Sequence, residues 1–108
     1  MWADRKDILA KLEKVPEKIC QILFRNEEIA AIATRYRFMK ETFILSRGVN
    51  YPLALEGALK IQETNYVLAK GYPISDFHHG PIAQIHTGDL VFVLAPAGKV
   101  EDDCAEII

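Results

Sequence analysis

Residues 42–60, "TFILSRGVNYPLALEGALK", decide the fold because a strand pattern and a helix pattern meet within them. The first part is a short β-branched and aromatic run closed by Gly48, which predicts a buried strand. Pro52 then suits the first turn of a helix, and the pattern predicts a long helix ending just before Gly71. A buried strand followed by a helix is typical of an α/β fold.

The chain after this helix predicts a loop, a helical turn at residues 80–85 and a second strand in "GDLVFVLAP", residues 88–96. Such a continuous apolar run suits a parallel strand that is covered on both faces. The order strand, helix, strand predicts a right-handed crossover. Two parallel strands cannot cover their own faces and edges, so we expect either a truncated piece of a larger fold or a sheet that another copy completes. Residues 98–108 predict the start of another helix.

A helical lead-in precedes the first strand. Residues 4–14 have the apolar spacing of an amphipathic helix, and Pro16 ends this helix and begins the next. Asn26 is predicted to cap a third helix, which continues to about Phe38. These pieces are typical of a packed connector and carry no catalytic pattern.

Composition excludes several classes of partner. The 108 residues carry a formal net charge of −2, which gives no electrostatic basis for binding nucleic acid or an anionic membrane. No apolar run reaches the ~20 residues of a membrane span, and the charged start is unlike a signal peptide, so we expect a cytoplasmic protein. Cys20 and Cys104 lie far apart with no CxxC pair, which predicts two reduced, partly buried thiols.

Three charged residues of the predicted long helix fall on one side of it. At about 100° per residue, Glu56, Lys60 and Glu63 lie within roughly 60° of one another. One interpretation is an exposed helix ion pair, worth about 0.2–0.5 kcal/mol. The other is a carboxylate base beside a cation. Apolar residues are predicted to line a different face: Leu55, Leu59 and Tyr66.

Two adjacent histidines, His78 and His79, precede Gly80 and Pro81 in a predicted loop. Histidine suits proton transfer near neutral pH, although surface histidines in a polar loop are an equally good interpretation. His78, His79 and His86 do not have the spacing of metal ligands, so we predict no metal site.

Residues 46–85, "SRGVNYPLALEGALKIQETNYVLAKGYPISDFHHGPIAQI", combine these features. A strand end with glycine is followed by Tyr-Pro-x-Ala-Leu-Glu-Gly-Ala-Leu-Lys, a glutamate three residues after the lysine, and His-Gly-Pro. This pattern resembles the sugar isomerase (SIS) domain family. It is most like the second SIS half of the glutamine:fructose-6-phosphate amidotransferases, the glucosamine-6-phosphate synthases. The resemblance covers about residues 42–97, and the lead-in is similar to the connector between the two SIS halves.

The resemblance implies a role for each matching residue. Glu63 would be the base that moves a proton between C1 and C2 of an open-chain sugar phosphate, and Lys60 a charged neighbour in the site. Glu56 would support them from the same face. His79 would assist opening of the sugar ring and would reach the active site of a neighbouring subunit. No cofactor is implied.

The resemblance also implies the organisation of the chain. We expect an α/β chain with a partial SIS-type doubly wound fold, in which residues 1–40 form a helical connector. Residues 41–108 would be the N-terminal part of an SIS domain with an incomplete parallel sheet. The implied partners are a phosphorylated sugar such as fructose 6-phosphate and a second copy in a homodimer.

One departure from the family pattern affects the expected activity. The second predicted strand is followed by "APAGK", residues 95–99, and no loop rich in serine and threonine is present to hold a phosphate. We therefore expect part of a sugar-phosphate isomerase that is inactive as an isolated chain. Two alternatives remain, an amino-sugar-phosphate deaminase or isomerase of the SIS type and a non-catalytic phosphosugar-binding or dimerisation module.

Overall fold

The computed structural model describes residues 5–96, and their contacts divide the chain between Arg37 and Phe38. The first unit is helical. It comprises three helices and a 3₁₀ turn: α1 (Arg5–Glu13), α2 (Val15–Leu23), α3 (Asn26–Ala33) and the turn Thr34–Tyr36. These helices confirm the predicted helical pattern of the lead-in.

The predicted cap of α3 is wrong. Asn26 is the first residue of the helix, and Arg25 occupies the N-cap position without a side-chain cap hydrogen bond. Only two residues separate α2 from α3, and the Ile29 amide donates to the Arg25 carbonyl at 3.0 Å. The chain therefore turns back into helix without the extended residue that an asparagine cap needs. Cys20 is free and exposed, which contradicts the expected partial burial, while Cys104 lies outside the described residues.

The second unit is built on a parallel sheet of three strands in the order β2-β1-β3. Its strands and helices are as follows: β1 (Glu41–Ser46), α4 (Tyr51–Asn65), β2 (Leu68–Pro73), α5 (Ile74–Phe77) and β3 (Leu90–Leu94). Two 3₁₀ turns, Gly48–Asn50 and Pro81–Gln84, precede α4 and follow α5. The parallel α/β architecture confirms the predicted fold class. The expected helix at residues 98–108 lies outside the described residues.

The sequence analysis missed one strand. The long helix was predicted to continue to Lys70, but α4 ends at Asn65 and Tyr66 turns the chain with a φ of 57°. β2 then pairs with β1 along its whole length, so α4 connects β1 to β2 and does not lead directly to β3. Pairing with β1 uses the backbone hydrogen-bonding groups that a longer helix would have bonded internally.

The central strand β1 is buried on both faces from Thr42 to Ser46. Its alternating side chains contribute to two cores, as period-2 geometry requires. One core combines Phe43 and Leu45 with α5. The other combines Ile44 with α4 and β2. The expectation that β3 is covered on both faces is wrong for the described part of the chain, because no residue of β3 is fully buried and Phe92 is 39% exposed.

Small residues bring α4 close to the sheet. Its buried residues are Ala54 and Ala58, so the predicted apolar face of Leu55, Leu59 and Tyr66 is wrong and these three side chains are exposed. Gly71 explains this packing, because a Cβ there would lie 2.9 Å from backbone atoms of Ala54. A helix that approaches a strand this closely can place only alanine-sized side chains between them.

Candidate active site

The charged residues of α4 lie on the side of the helix away from the sheet. At about 100° per residue, Glu56 is roughly 160° from the buried Ala54 and Ala58. Glu56, Lys60 and Glu63, called here the Glu-Lys-Glu cluster, are consequently all exposed. The structure thus brings three of the four predicted site residues together on one helix face.

The cluster is held by two ion pairs centred on Lys60. Its Nζ donates to Glu63 Oε2 at 2.7 Å and lies 3.6 Å from Glu56 Oε1. The hydrogen bond to Glu63, followed by the charge of Glu63, raises the pKa of Lys60 above its ordinary value. Lys60 is therefore fully protonated at neutral pH, and its closer partner is Glu63.

This arrangement can support acid–base chemistry at carbon. The Lys60 contact uses Oε2 of Glu63, and a carboxylate has a second oxygen that can accept a proton. A fixed cation beside that oxygen would stabilise the negative charge that develops when a C–H proton is removed. The same contacts also occur in ordinary exposed helix pairs, so the geometry permits this chemistry without requiring it.

His79 lies in the turn that follows α5 and is exposed. Its backbone amide donates to the Asp76 carbonyl at 3.1 Å. Gly80 follows with a φ of 155°, a conformation that side-chain-bearing residues rarely adopt, and directly precedes the turn that begins at Pro81. Within residues 5–96, no hydrogen bond or ion pair joins His79 to the Glu-Lys-Glu cluster.

The strand order reveals a feature that sequence reasoning did not find. The chain leaves β1 toward β2 on one side and returns to β3 on the other, which makes the carboxyl ends of β1 and β3 a topological switch point. In open α/β sheets, ligands bind in the crevice at such points. Arg47 and Gly48 follow β1 there. The switch point could have been located only by recognising β2 in "LAKGYP", residues 68–73.

The sequence profile of the SIS domain family matches residues 37–107. The chain belongs to the SIS domain family. This membership confirms the resemblance that the motifs of residues 46–85 carry. Among the described residues of this SIS chain, no helix is both long enough and apolar enough to cross a bilayer.

Two relatives of this SIS chain carry the same name. Proteins named glutamine–fructose-6-phosphate aminotransferase (isomerizing) from Aquifex aeolicus and Methanosarcina acetivorans are each 43% identical to it, over 97 and 94 residues. These matches cover 90% and 87% of this chain. The chain spans only 16% and 15% of the length of those two relatives.

A solved structure agrees with this family. The C-terminal domain of glucosamine-fructose-6-phosphate aminotransferase from Francisella tularensis superimposes with a TM-score of 0.86 at 28% identity. The match covers 93% of the SIS chain and 28% of the Francisella chain. The family and the fold are therefore established, whereas the catalytic roles of Glu56, Lys60, Glu63 and His79 remain predictions.

Proposed function

We propose that this chain supplies the acid–base residues of a sugar-phosphate isomerase that acts on a hexose 6-phosphate such as fructose 6-phosphate. The observation that carries the proposal is the exposed pair of Glu63 and Lys60, 2.7 Å apart, in a chain of the SIS family. The names of its relatives give the substrate class, since they refer to fructose 6-phosphate and to isomerisation.

The proposed reaction moves a proton between two neighbouring carbons. Glu63 removes the proton from C1 or C2 of the open-chain sugar and returns it to the other carbon, while a hydroxyl proton passes between O1 and O2 so that the carbonyl changes position. The Lys60 ammonium, held beside Glu63, stabilises the enediolate formed between these steps. Glu56 holds Lys60 from its other side at 3.6 Å. His79 assists ring opening in the site of a neighbouring subunit.

The phosphate of the substrate needs a binding group outside the Glu-Lys-Glu cluster. Glu56 and Glu63 repel an anion, and the side chains after β3 are those of Ala95 and Pro96, which cannot bind one. A base without a held substrate loses the rate advantage of proximity, which can reach about 7–11 kcal/mol. The proposal therefore assigns the acid–base chemistry to this chain and the binding of the phosphate to another part of the enzyme.

This separation predicts that the isolated chain is inactive and that a chimera is active. In the chimera, the 97 matched residues of the Aquifex aeolicus relative are replaced by those of this chain. Isomerisation of fructose 6-phosphate is measured by coupling glucose 6-phosphate to its dehydrogenase, with the unmodified Aquifex protein as control. We expect turnover by the chimera and none above background by the isolated chain. Turnover by the isolated chain would contradict the separation, and a folded but inactive chimera would contradict the proposed function.

We further propose that the chain acts in the cytoplasm as a homodimer. The outer edges of β2 and β3 carry backbone groups that can pair with another chain, and Leu68 and Phe92 on these strands are exposed. We expect a symmetric dimer in which His79 lies nearer to the partner subunit's Glu63 than to its own. Light scattering in dilute buffer should give twice the chain mass of 12.2 kDa. A stable 12.2 kDa species with cooperative unfolding would refute the dimer.

A further inference from the structure

A second cluster of ionisable side chains lies where β1 and β3 begin. The strand register pairs Thr42 with Leu90, so Glu41 and Asp89, each one residue earlier, lie side by side at the amino end of the sheet. Like charges at neighbouring positions on adjacent strands are destabilising. A positive charge between these two carboxylates would remove that repulsion.

His86 places its imidazole against both carboxylates. Its Nδ1 lies 3.4 Å from Asp89 Oδ2 and 3.6 Å from Glu41 Oε1. The three ligand atoms all lie within 4.8 Å of one another. The side chains of Asp89 and Glu41 are only 16% and 25% exposed, whereas that of His86 is 74% exposed. The two carboxylates of the cluster are therefore largely covered, whereas the imidazole is open to water.

The Nδ1-to-oxygen distances are those of an ion pair or of two ligand atoms around a shared cation, and are longer than a hydrogen bond. Both Nδ1-to-oxygen separations exceed the 2.7–3.2 Å that is usual for an N–H···O bond. Ligand atoms that surround a tetrahedral zinc ion at about 2.0–2.1 Å are separated from one another by roughly 3.3 Å. We propose that Glu41, His86 and Asp89 bind a divalent transition-metal cation of the zinc type.

The loop that carries these ligands is already fixed. The His86 amide donates to Asp89 Oδ2 at 2.6 Å, and the Asp89 amide donates to the His86 carbonyl at 3.1 Å. These two bonds orient the Asp89 carboxylate, as the hydrogen bonds around metal-binding carboxylates commonly do. Glu41 is fixed independently as the first residue of β1. Three side chains supply the protein ligands, and water takes the fourth position on the open side.

The ligand set favours zinc over magnesium. An imidazole nitrogen suits zinc, nickel and copper, whereas magnesium prefers oxygen ligands and retains several waters. Bound zinc would join the loop at residues 86–89 to the start of β1. The site is independent of the proposed isomerase chemistry, because it uses none of the residues assigned to that reaction.

Calorimetric titration of the full chain with ZnCl₂ tests the site. Cys20 and Cys104 are replaced by serine to exclude thiol binding, and any affinity tag is removed. We expect one Zn²⁺ per chain with micromolar affinity and no comparable binding of Mg²⁺. His86→Ala should weaken Zn²⁺ binding at least about tenfold. His78→Ala, which removes an exposed histidine outside the cluster, should leave binding unchanged.

Glu41→Gln provides a second variant, which removes the ligand charge without altering the loop that carries His86 and Asp89. It should also weaken binding, and circular dichroism of both variants confirms that they fold. The proposal is overturned if the chain binds no Zn²⁺ at millimolar concentration. It is also overturned if folded His86→Ala and Glu41→Gln bind Zn²⁺ as tightly as the parent chain.

Discussion

Replacing Glu63 by glutamine is expected to lower kcat of the chimeric enzyme at least about 100-fold and to change KM little. Glutamine keeps the size of the side chain and its amide oxygen can still accept a hydrogen bond from Lys60, but it carries no charge and cannot accept a proton from carbon. Proton transfer belongs to the transition state and substrate binding does not require it, so the loss should fall on kcat. Steady-state kinetics with fructose 6-phosphate measure both constants.

Glu56→Gln is the matched control, since it makes the same chemical change on the same helix face. Its effect on kcat should be smaller, because Glu56 lies 3.6 Å from Lys60 Nζ whereas Glu63 lies at 2.7 Å. The pKa of Lys60 provides a readout apart from activity. Glu63→Gln should lower it toward its ordinary value, because glutamine offers a weaker, neutral hydrogen-bond acceptor and removes the charge of Glu63, the two leading causes that raise it. NMR titration of the lysine side chain measures this shift.

Two kinetic results would show that the roles are wrongly assigned. One is an equal loss of kcat in Glu63→Gln and Glu56→Gln, which would mean that both carboxylates only hold Lys60. The other is a Glu63→Gln effect confined to KM, which would make Glu63 a binding residue.

The parts of the fold that local pattern determines were predictable from the sequence. β1 and the start of α4 follow from an apolar run closed by Gly48 and from Pro52 in a first turn. β2 was not predictable in the same way, because "YVLAKG", residues 66–71, suits a helix as well as a strand. Only pairing with β1, a contact made after the chain has turned at Tyr66, decides between the two.

The candidate site likewise has features that local pattern predicts and features that depend on tertiary contacts. Helical periodicity alone places Glu56, Lys60 and Glu63 on one face, and the structure has them there. The buried face of the helix could not be identified from hydrophobicity. Alanines are buried and leucines exposed because the close approach of Gly71 excludes larger side chains. The neighbouring positions of Glu41 and Asp89 depend on strand register, which no local pattern of this sequence specifies.

The largest effect on stability is expected for Phe77→Ala, which should lower the free energy of unfolding by about 3–5 kcal/mol. Phe77 is 1% exposed, and its ring lies 5.5 Å from that of Phe43 and 5.9 Å from that of Tyr72. The helix α5 that carries it has only four residues, and only Phe77 and Ile74 of these are buried against the core that contains Phe43 and Leu45. Removing the ring would leave a cavity that the rigid sheet cannot close.

Phe24→Ala is the control, since it deletes the same ring from a side chain that is 89% exposed. Its effect should stay within about 0.5 kcal/mol. Urea unfolding of the three chains, followed by circular dichroism, gives the free energies. Native proteins have only about 5–15 kcal/mol of stability, so Phe77→Ala should remove a large share of the total. A loss below about 1 kcal/mol would contradict this prediction. It would show that contacts other than those of Phe77 keep Phe43 and Leu45 buried.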